Sequence, residues 1–139
     1  MATKYLADKS ALARMPNASV CERLEPLILA GEIFTCSIVD LEVFYSARTH
    51  ADLVEIRTAR ERAYPLVPME QTDFDRAIDV MEALSRRGHH RAVSIPDLLI
   101  AAVAERSGLT VLHYDGDFDL IAAHTKQRTE WIVRRGSVS

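Results

Sequence analysis

Strand, turn and helix signals recur in order along the 139 residues, with no internal repeat or low-complexity linker between them. Strands separated by helices must pair in parallel, because parallel neighbours need long crossovers. These observations predict one α/β domain over residues 1–139, with a mainly parallel central sheet of four to five strands flanked by helices. Tyr5-Leu6-Ala7 reads as a short strand ending at Asp8, and Ser10 to Met15 as a helical turn stopped by Pro16. Ser19 and Glu22 have capping-box spacing ahead of a helix ending near Gly31, and Ile33 to Cys36 form a second strand. Ser37, with Asp40 three residues on, opens a helix carrying Leu41, Val43 and Phe44, and Glu42 lies in its first two turns.

From His50 to Tyr64 the chain is charged and helix-prone, anchored by Leu53 and Ile56 and ended by Pro65, after which Leu66-Val67 is a weak third strand. Thr72 and Asp75 repeat the cap spacing for a helix with apolar positions Phe74, Ile78, Met81 and Leu84, running to Gly88. A basic loop, Arg86-Arg87-Gly88-His89-His90-Arg91, follows. Ser94-Ile95-Pro96-Asp97 opens the most apolar helix, Leu98 to Arg106, which has Pro in its first turn and Gly108 as its stop and is expected to be fully buried. Leu109 to His113 is the clearest strand, Tyr114-Asp115-Gly116-Asp117 a loop, Phe118 to His124 a short helix and Trp131-Ile132-Val133 the last strand.

Composition narrows the function classes. A chain of this size buries enough surface to fold without metal or disulfides, so any metal would serve chemistry. Cys21 and Cys36 are too isolated to form a metal pair or a disulfide framework and read as core thiols. No apolar run approaches the ~20 residues of a membrane span, and the N-terminus lacks a secretion signal, so a cytoplasmic protein is expected. The formal charge of -3, from 17 Lys and Arg against 20 Asp and Glu, argues against a broad basic surface but leaves room for a local basic patch.

In an open parallel sheet the ligand site lies beyond the carboxyl ends of the strands. Asp8 follows the first strand, and Asp115 and Asp117 follow the strand ending at His113. Glu42 and Asp97 lie at or near helix starts, where the partly positive helix end favours carboxylates. Carboxylates gathered this closely repel one another and raise one another's pKa, so such a cluster persists most easily around a hard divalent cation, magnesium or manganese. A cation of this kind polarises a phosphoryl oxygen, acidifies water and stabilises a leaving oxygen, which favours phosphodiester hydrolysis. The chain has no GxSxG elbow, Walker A loop or HExxH pair to suggest other chemistry. Ser10 and Ser37 are candidates to orient a carboxylate or a water, or to cap helices.

Four segments together resemble the PIN domains, and among them the VapC-type toxins of bacterial toxin–antitoxin pairs: residues Leu6 to Arg14, Ser37 to Glu42, Ile95 to Ala102 and Leu112 to Asp119. The resemblance covers nearly the whole chain and implies a single PIN domain with a three-layer fold. It also implies a magnesium- or manganese-dependent endoribonuclease, usually dimeric and silenced by a VapB-type antitoxin, with tRNA or rRNA as expected substrates. By that likeness Asp8, Glu42, Asp97 and Asp115 would bind one or two ions, with Asp117 a further or alternative ligand. The chain departs from the family in having Lys9 where Thr usually stands between the first Asp and the Ser.

Other readings of the same residues stay open. Asp115 and Asp117 form a DxD, the motif of small-phosphoester phosphohydrolases with an aspartyl nucleophile. In those enzymes the motif lies near the N-terminus, with Thr or Val where Asp119 stands here. A calcium loop fails on Leu120 and Lys126, which occupy the places of its Gly and its closing Glu. A non-catalytic binding module is the third reading. For RNA contact the sequence offers Arg14, the best placed, then Arg86, Arg87, Arg91, Arg134 and Arg135, with Tyr45, Tyr114 and Phe118 for stacking. His113 reads equally as structural or as an aid to proton transfer. The segment His50 to Arg62, with Tyr45 nearby, is a candidate groove for a partner helix, from which an inserted Arg would neutralise the acids.

Overall fold

Strands β1 (Tyr5–Ala7), β2 (Ile33–Phe34), β3 (Thr110–His113) and β4 (Thr129–Trp131) form one sheet in the order β2-β1-β3-β4. The computed structural model describes residues 2–139. Each strand pair is parallel, with Leu6 opposite Phe34 on one side and Val111 on the other, and Leu112 opposite Glu130. The chain runs outward from β1 to β2 and then returns to lay β3 on the other side of β1. The switch point of the sheet therefore falls between β1 and β3, where Asp8 and Asp115 leave their strands.

Among the described residues seven helices cover the sheet: α1 (Lys9–Leu12), α2 (Ala18–Leu29), α3 (Ser37–Tyr45), α4 (His50–Ala63), α5 (Gln71–Ser85), α6 (Ile95–Ser107) and α7 (Asp117–His124). Side chains alternate across the strands as their two-residue period requires. Leu6 and Val111 join a core built with α3, α5, α6 and α7, whereas Ala7 and Leu112 join a second core with Ala11 of α1 and Val20 and Leu24 of α2. The architecture is the expected α/β arrangement of three layers with four parallel strands. Helix α6 is buried without a break from Asp97 to Ala104 and forms the spine of the larger core. Its ends follow the sequence reading: Ser94 Oγ accepts from the Asp97 N–H at 3.2 Å, Pro96 occupies the first turn, and Gly108 closes it at φ 68°, a left-handed conformation suited to Gly.

Several local expectations are corrected. Helix α2 starts after Asn17, not at a Ser19–Glu22 box, and Cys36 occupies the cap position of α3 in place of Ser37. The capping box of α5 is Glu70 with Asp73, two residues earlier than Thr72 and Asp75. The face that packs on the core is also different: Asp73, Ala77, Val80 and Leu84 are buried while Phe74 and Ile78 are exposed. Leu66 makes only an isolated bridge to Thr35, and β4 comes two residues before Trp131–Val133. No helix among the described residues is long and apolar enough to cross a membrane.

Candidate active site

The carboxyl ends of β1 and β3 open into a cavity of about 280 Å³, lined by Asp8, Glu42, Asp97, Asp115 and Asp117 together with Lys9, Ser10, Arg14 and Ser94. Asp8 caps α1, and its N–H donates to the Leu112 carbonyl at 2.9 Å, fixing it to the end of β3. Its Oδ2 accepts from the Ser10 N–H at 3.0 Å and from Ser10 Oγ at 2.5 Å. Ser10 Oγ in turn accepts from the Tyr114 N–H at 2.8 Å, so one hydroxyl couples the first acid to the loop that carries the last two. Within that loop the Asp117 N–H donates to Asp115 Oδ1 at 2.9 Å. The Ser94 N–H donates to Asp117 Oδ2 at 3.0 Å, tying the loop to the start of α6.

Five acids thus converge from four places in the chain. Carboxylate oxygens of Asp8, Glu42 and Asp97 lie within 4.8 Å of one another, and so do those of Asp97, Asp115 and Asp117. Asp97 belongs to both triads. Among the described residues, none of the five acids forms an ion pair with Lys or Arg. Burial and then the Asp8 charge raise the Asp97 carboxyl well above the carboxylate range, with a hydrogen bond to Asp117 and the Asp115 and Asp117 charges adding to the effect. Burial also raises Asp8, against the lowering effect of its Ser10 bonds, and it raises Glu42 with help from Asp8.

Glu42 Oε1 is buried and has no hydrogen-bond partner. An orphaned carboxylate oxygen facing like charges is unfavourable unless a cation completes the set. An all-oxygen donor set suits a hard divalent ion, so the residues fit the group that the sequence implied.

The other predicted residues divide. Arg14 lines the cavity, stacks over the Tyr114 ring at 4.3 Å and donates from Nη1 to the Ser10 carbonyl at 2.8 Å. Ser37 is elsewhere. It is exposed at the start of α3 and lines a separate and larger cleft of about 550 Å³ between α3 and α4, with Leu41, Phe44, Arg60, Tyr64 and Leu66. Arg60 in that cleft is buried and bonds Asp40 and Thr35 at 2.9 Å each. His113 is wholly buried, and burial lowers its pKa to about 4. Its Nδ1 accepts from the Asp115 N–H at 3.1 Å, which makes it part of the scaffold under the acids. Phe118 is core, whereas Tyr45 is 90% exposed beside Lys9 and Glu42. The sequence reading missed Ser94 as a clamp on Asp117, because a backbone N–H leaves no residue signature.

The family model of the PIN domain matches residues 5–124. This chain belongs to the PIN-domain family. Within that family it is 47% identical over 137 residues to Ribonuclease VapC21 of Mycobacterium tuberculosis, with 99% of each chain covered. Ribonuclease VapC51 of the same organism is 44% identical over 138 residues, again with 99% of each chain covered. Among solved structures, DNA-bound VapBC from Salmonella typhimurium superposes with a TM-score of 0.76 at 18% identity, covering 95% of this chain and 100% of that one. The PIN fold puts the switch point of its sheet under the acidic cavity, and the Lys9 departure leaves the five acids in place around it.

Proposed function

We propose that this chain is a divalent-metal-dependent endoribonuclease of the VapC type, folded as one PIN domain over residues 1–139 and held in check by a VapB-type antitoxin. The observation that carries the reading is the pair of overlapping carboxylate triads, none of whose acids forms an ion pair with Lys or Arg among the described residues. Asp8, Glu42, Asp97 and Asp115 would hold magnesium or manganese, one or two ions per site, with Asp117 as a further ligand. When bound, the ion neutralises charge on the phosphoryl oxygens, acidifies water and stabilises the leaving oxygen.

The chain's own residues orient the site. Ser10 fixes the Asp8 carboxylate and, through the Tyr114 N–H, the spacing between β1 and β3. The Ser94 N–H fixes Asp117. Arg14, held over the Tyr114 ring, is set to meet an RNA phosphate at the rim. Hydrolysis by a metal-activated water adds water across one P–O bond and calls for no covalent intermediate on the protein; in this cavity the Ser10 hydroxyl is taken up by its bonds to Asp8 and the Tyr114 N–H. The antitoxin would occupy the cleft between α3 and α4 and reach from there toward the acids. The exposed Phe74 and Ile78 of α5 suit self-association as a homodimer.

The test is Asp97→Asn. Removing the charge shared by both triads should lower RNA cleavage at least about a hundredfold, because carboxylate-held metal supplies several kcal/mol of transition-state stabilisation. The fold should be retained, since like-charge repulsion is relieved. Fragment mapping on total RNA with magnesium or manganese reads the result, and cleavage at the wild-type rate would refute the assignment.

A further inference from the structure

We infer that Arg135, delivered by a strap formed from the last residues of the chain, is a substrate-binding residue that takes an RNA phosphate beside the acidic cavity. This rests on the ribonuclease reading above. Beyond β4 the chain folds back. Gly136 adopts φ 79°, a left-handed conformation that reverses the backbone, and the Ser137 N–H donates to the Arg134 carbonyl at 3.0 Å. The Tyr114 hydroxyl then pins the strap in three ways. It accepts from the Gly136 N–H at 2.8 Å and the Val138 N–H at 3.3 Å, and it donates to the Val138 carbonyl at 2.9 Å. Tyr114 directly precedes Asp115 and supports Arg14 on its ring, so the strap is fastened to the acidic loop itself.

The fastening brings a guanidinium over the Asp115–Asp117 turn. Arg135 stacks on Trp131 at 5.3 Å, and its Nη2 lies 3.4 Å from where a Cβ on Gly116 would be. Trp131 is held by its own indole N–H, which donates to the Asp119 carboxylate at 3.0 Å, and by edge contact with the Tyr114 ring. The Arg135 guanidinium is therefore held over the Trp131 ring while its donors stay largely free. Its nearest acid is Asp119 at 4.0 Å, and its side chain is 72% exposed. A pair that long and that wet contributes little to stability, so the strap is not explained by the ion pair it makes. A planar fork of donors held on an aromatic face suits phosphate recognition. Arg14 lines the cavity against Tyr114 and Arg135 lies against Gly116, so a cation stands near each end of the Tyr114–Gly116 segment that carries Asp115. A polyanion approaching five carboxylates needs such offsets along its path.

The experiment uses the full chain carrying Asp97→Asn, which keeps the RNA intact, with magnesium present and a short labelled single-stranded RNA followed by fluorescence anisotropy across ~50 to ~200 mM salt. Adding Arg135→Gln should weaken binding about fivefold at ~0.1 M salt and reduce the salt slope by about 0.7, the contribution of one phosphate contact on a single strand. Arg135→Lys should restore most of the slope. Tyr114→Phe, which keeps the ring under Arg14 and removes the hydroxyl that pins the strap, should reproduce part of the loss. Arg62→Gln, the same charge change at an exposed position on α4, should leave binding unchanged. Unchanged affinity and slope in Arg135→Gln overturn the proposal while the ribonuclease reading stands. Equal losses in the Arg135 and Arg62 variants overturn it in favour of net charge. If the otherwise wild-type chain neither cuts nor binds RNA, the ribonuclease reading fails and this inference fails with it.

Discussion

Helices α5 and α6 each carry an aspartate at the third position after the cap, Asp73 after Glu70 and Asp97 after Ser94, and both side chains are buried. In sequence the two first turns look alike. Their surroundings are opposite. Burial alone would raise Asp73, but Arg106 donates to both of its oxygens at 2.7 and 3.0 Å and the Glu70 N–H adds a third bond, so its pKa falls. Asp97 has burial and three neighbouring acids, and its pKa rises. The same residue in the same helical position is a structural tie in one helix and an unmet charge in the next. What separates them is that Arg106 is built in beside Asp73, whereas Asp97 forms no ion pair among the described residues.

The sharpest way to break that contrast is a crossed pair of substitutions. Asp97→Asn should abolish cleavage and leave unfolding by urea unchanged or slightly harder. Asp73→Asn should do the reverse, costing about 2 kcal/mol of stability. That is below the 3–5 kcal/mol typical when one member of a buried pair is lost, because Arg106 keeps some exposure to water. Cleavage per folded molecule should be retained in Asp73→Asn. If Asp73→Asn abolishes cleavage in a fully folded protein, the two aspartates do not divide in this way.

The pH dependence of stability tests the same division without mutation. A carboxyl whose folded pKa is raised keeps its proton where the unfolded chain has released it, so its contribution to stability falls as pH rises above the ordinary carboxylate value of about 4. Asp97, Asp8 and Glu42 all act in this direction. Asp73 acts oppositely: its contribution is present above the unfolded value and is lost as pH falls through the lowered folded one. Burial lowers His113 to about 4, so below its unfolded value of about 6.5 it acts against the three acids, and the protein freed of metal with a chelator should show its falling unfolding midpoint from about pH 6.5 to about pH 8. Added manganese or Asp97→Asn should flatten that fall. A flat profile in the chelated protein would remove the electrostatic case for a cation.

These contrasts also mark what was legible in the sequence. The strands flanking the site were legible because their signals are local: Tyr5–Ala7 is a short strand-like run closed by Asp8, and Leu109 to His113 is a β-branched one closed by the Asp115–Asp117 turn. Ser94, Pro96 and Gly108 bound α6 by cap chemistry that acts within a few residues. The face of α5 was not legible. Phe74 and Ile78 have a good helical period, yet the face that packs carries Asp73, whose partner Arg106 is distant in sequence. The convergence of the acids followed from topology, whereas the placement of Ser37 in a different cleft did not, because that depends on how α3 packs against α4. The tail's attachment to Tyr114 left no pattern, since a phenol bonded to backbone groups has no spacing to read.

A smaller effect is expected at Ser10. Ser10→Ala removes the hydroxyl shared by Asp8 and the Tyr114 N–H but leaves all five acids and the Ser10 backbone bond in place. The loss should be about 1 kcal/mol of stability, the usual net value of a hydrogen bond, with cleavage reduced roughly tenfold by a less well-held Asp8. Ser10→Thr, which keeps the hydroxyl, should recover most of the rate. Full activity in Ser10→Ala would show that Asp8 is held well enough by backbone alone.

The smallest effect is expected one helical turn from the buried tie. Arg76 of α5 bonds Glu105 of α6 at 2.8 Å, so it links the same two helices as Asp73 and Arg106 and has comparable geometry. Its side chains are 41% and 32% exposed, whereas Asp73 is 1% exposed. Water already solvates both partners, and fixing two long side chains costs entropy, so Arg76→Gln should lower stability by less than about 1 kcal/mol and leave cleavage unchanged. High salt should remove most of that difference while leaving the Asp73→Asn penalty largely intact, since screening reaches exposed charges and not buried ones. If Arg76→Gln costs as much as Asp73→Asn, exclusion of water is not what gives the buried pair its strength. The same reasoning that leaves Asp97 in need of a cation would then lose its footing.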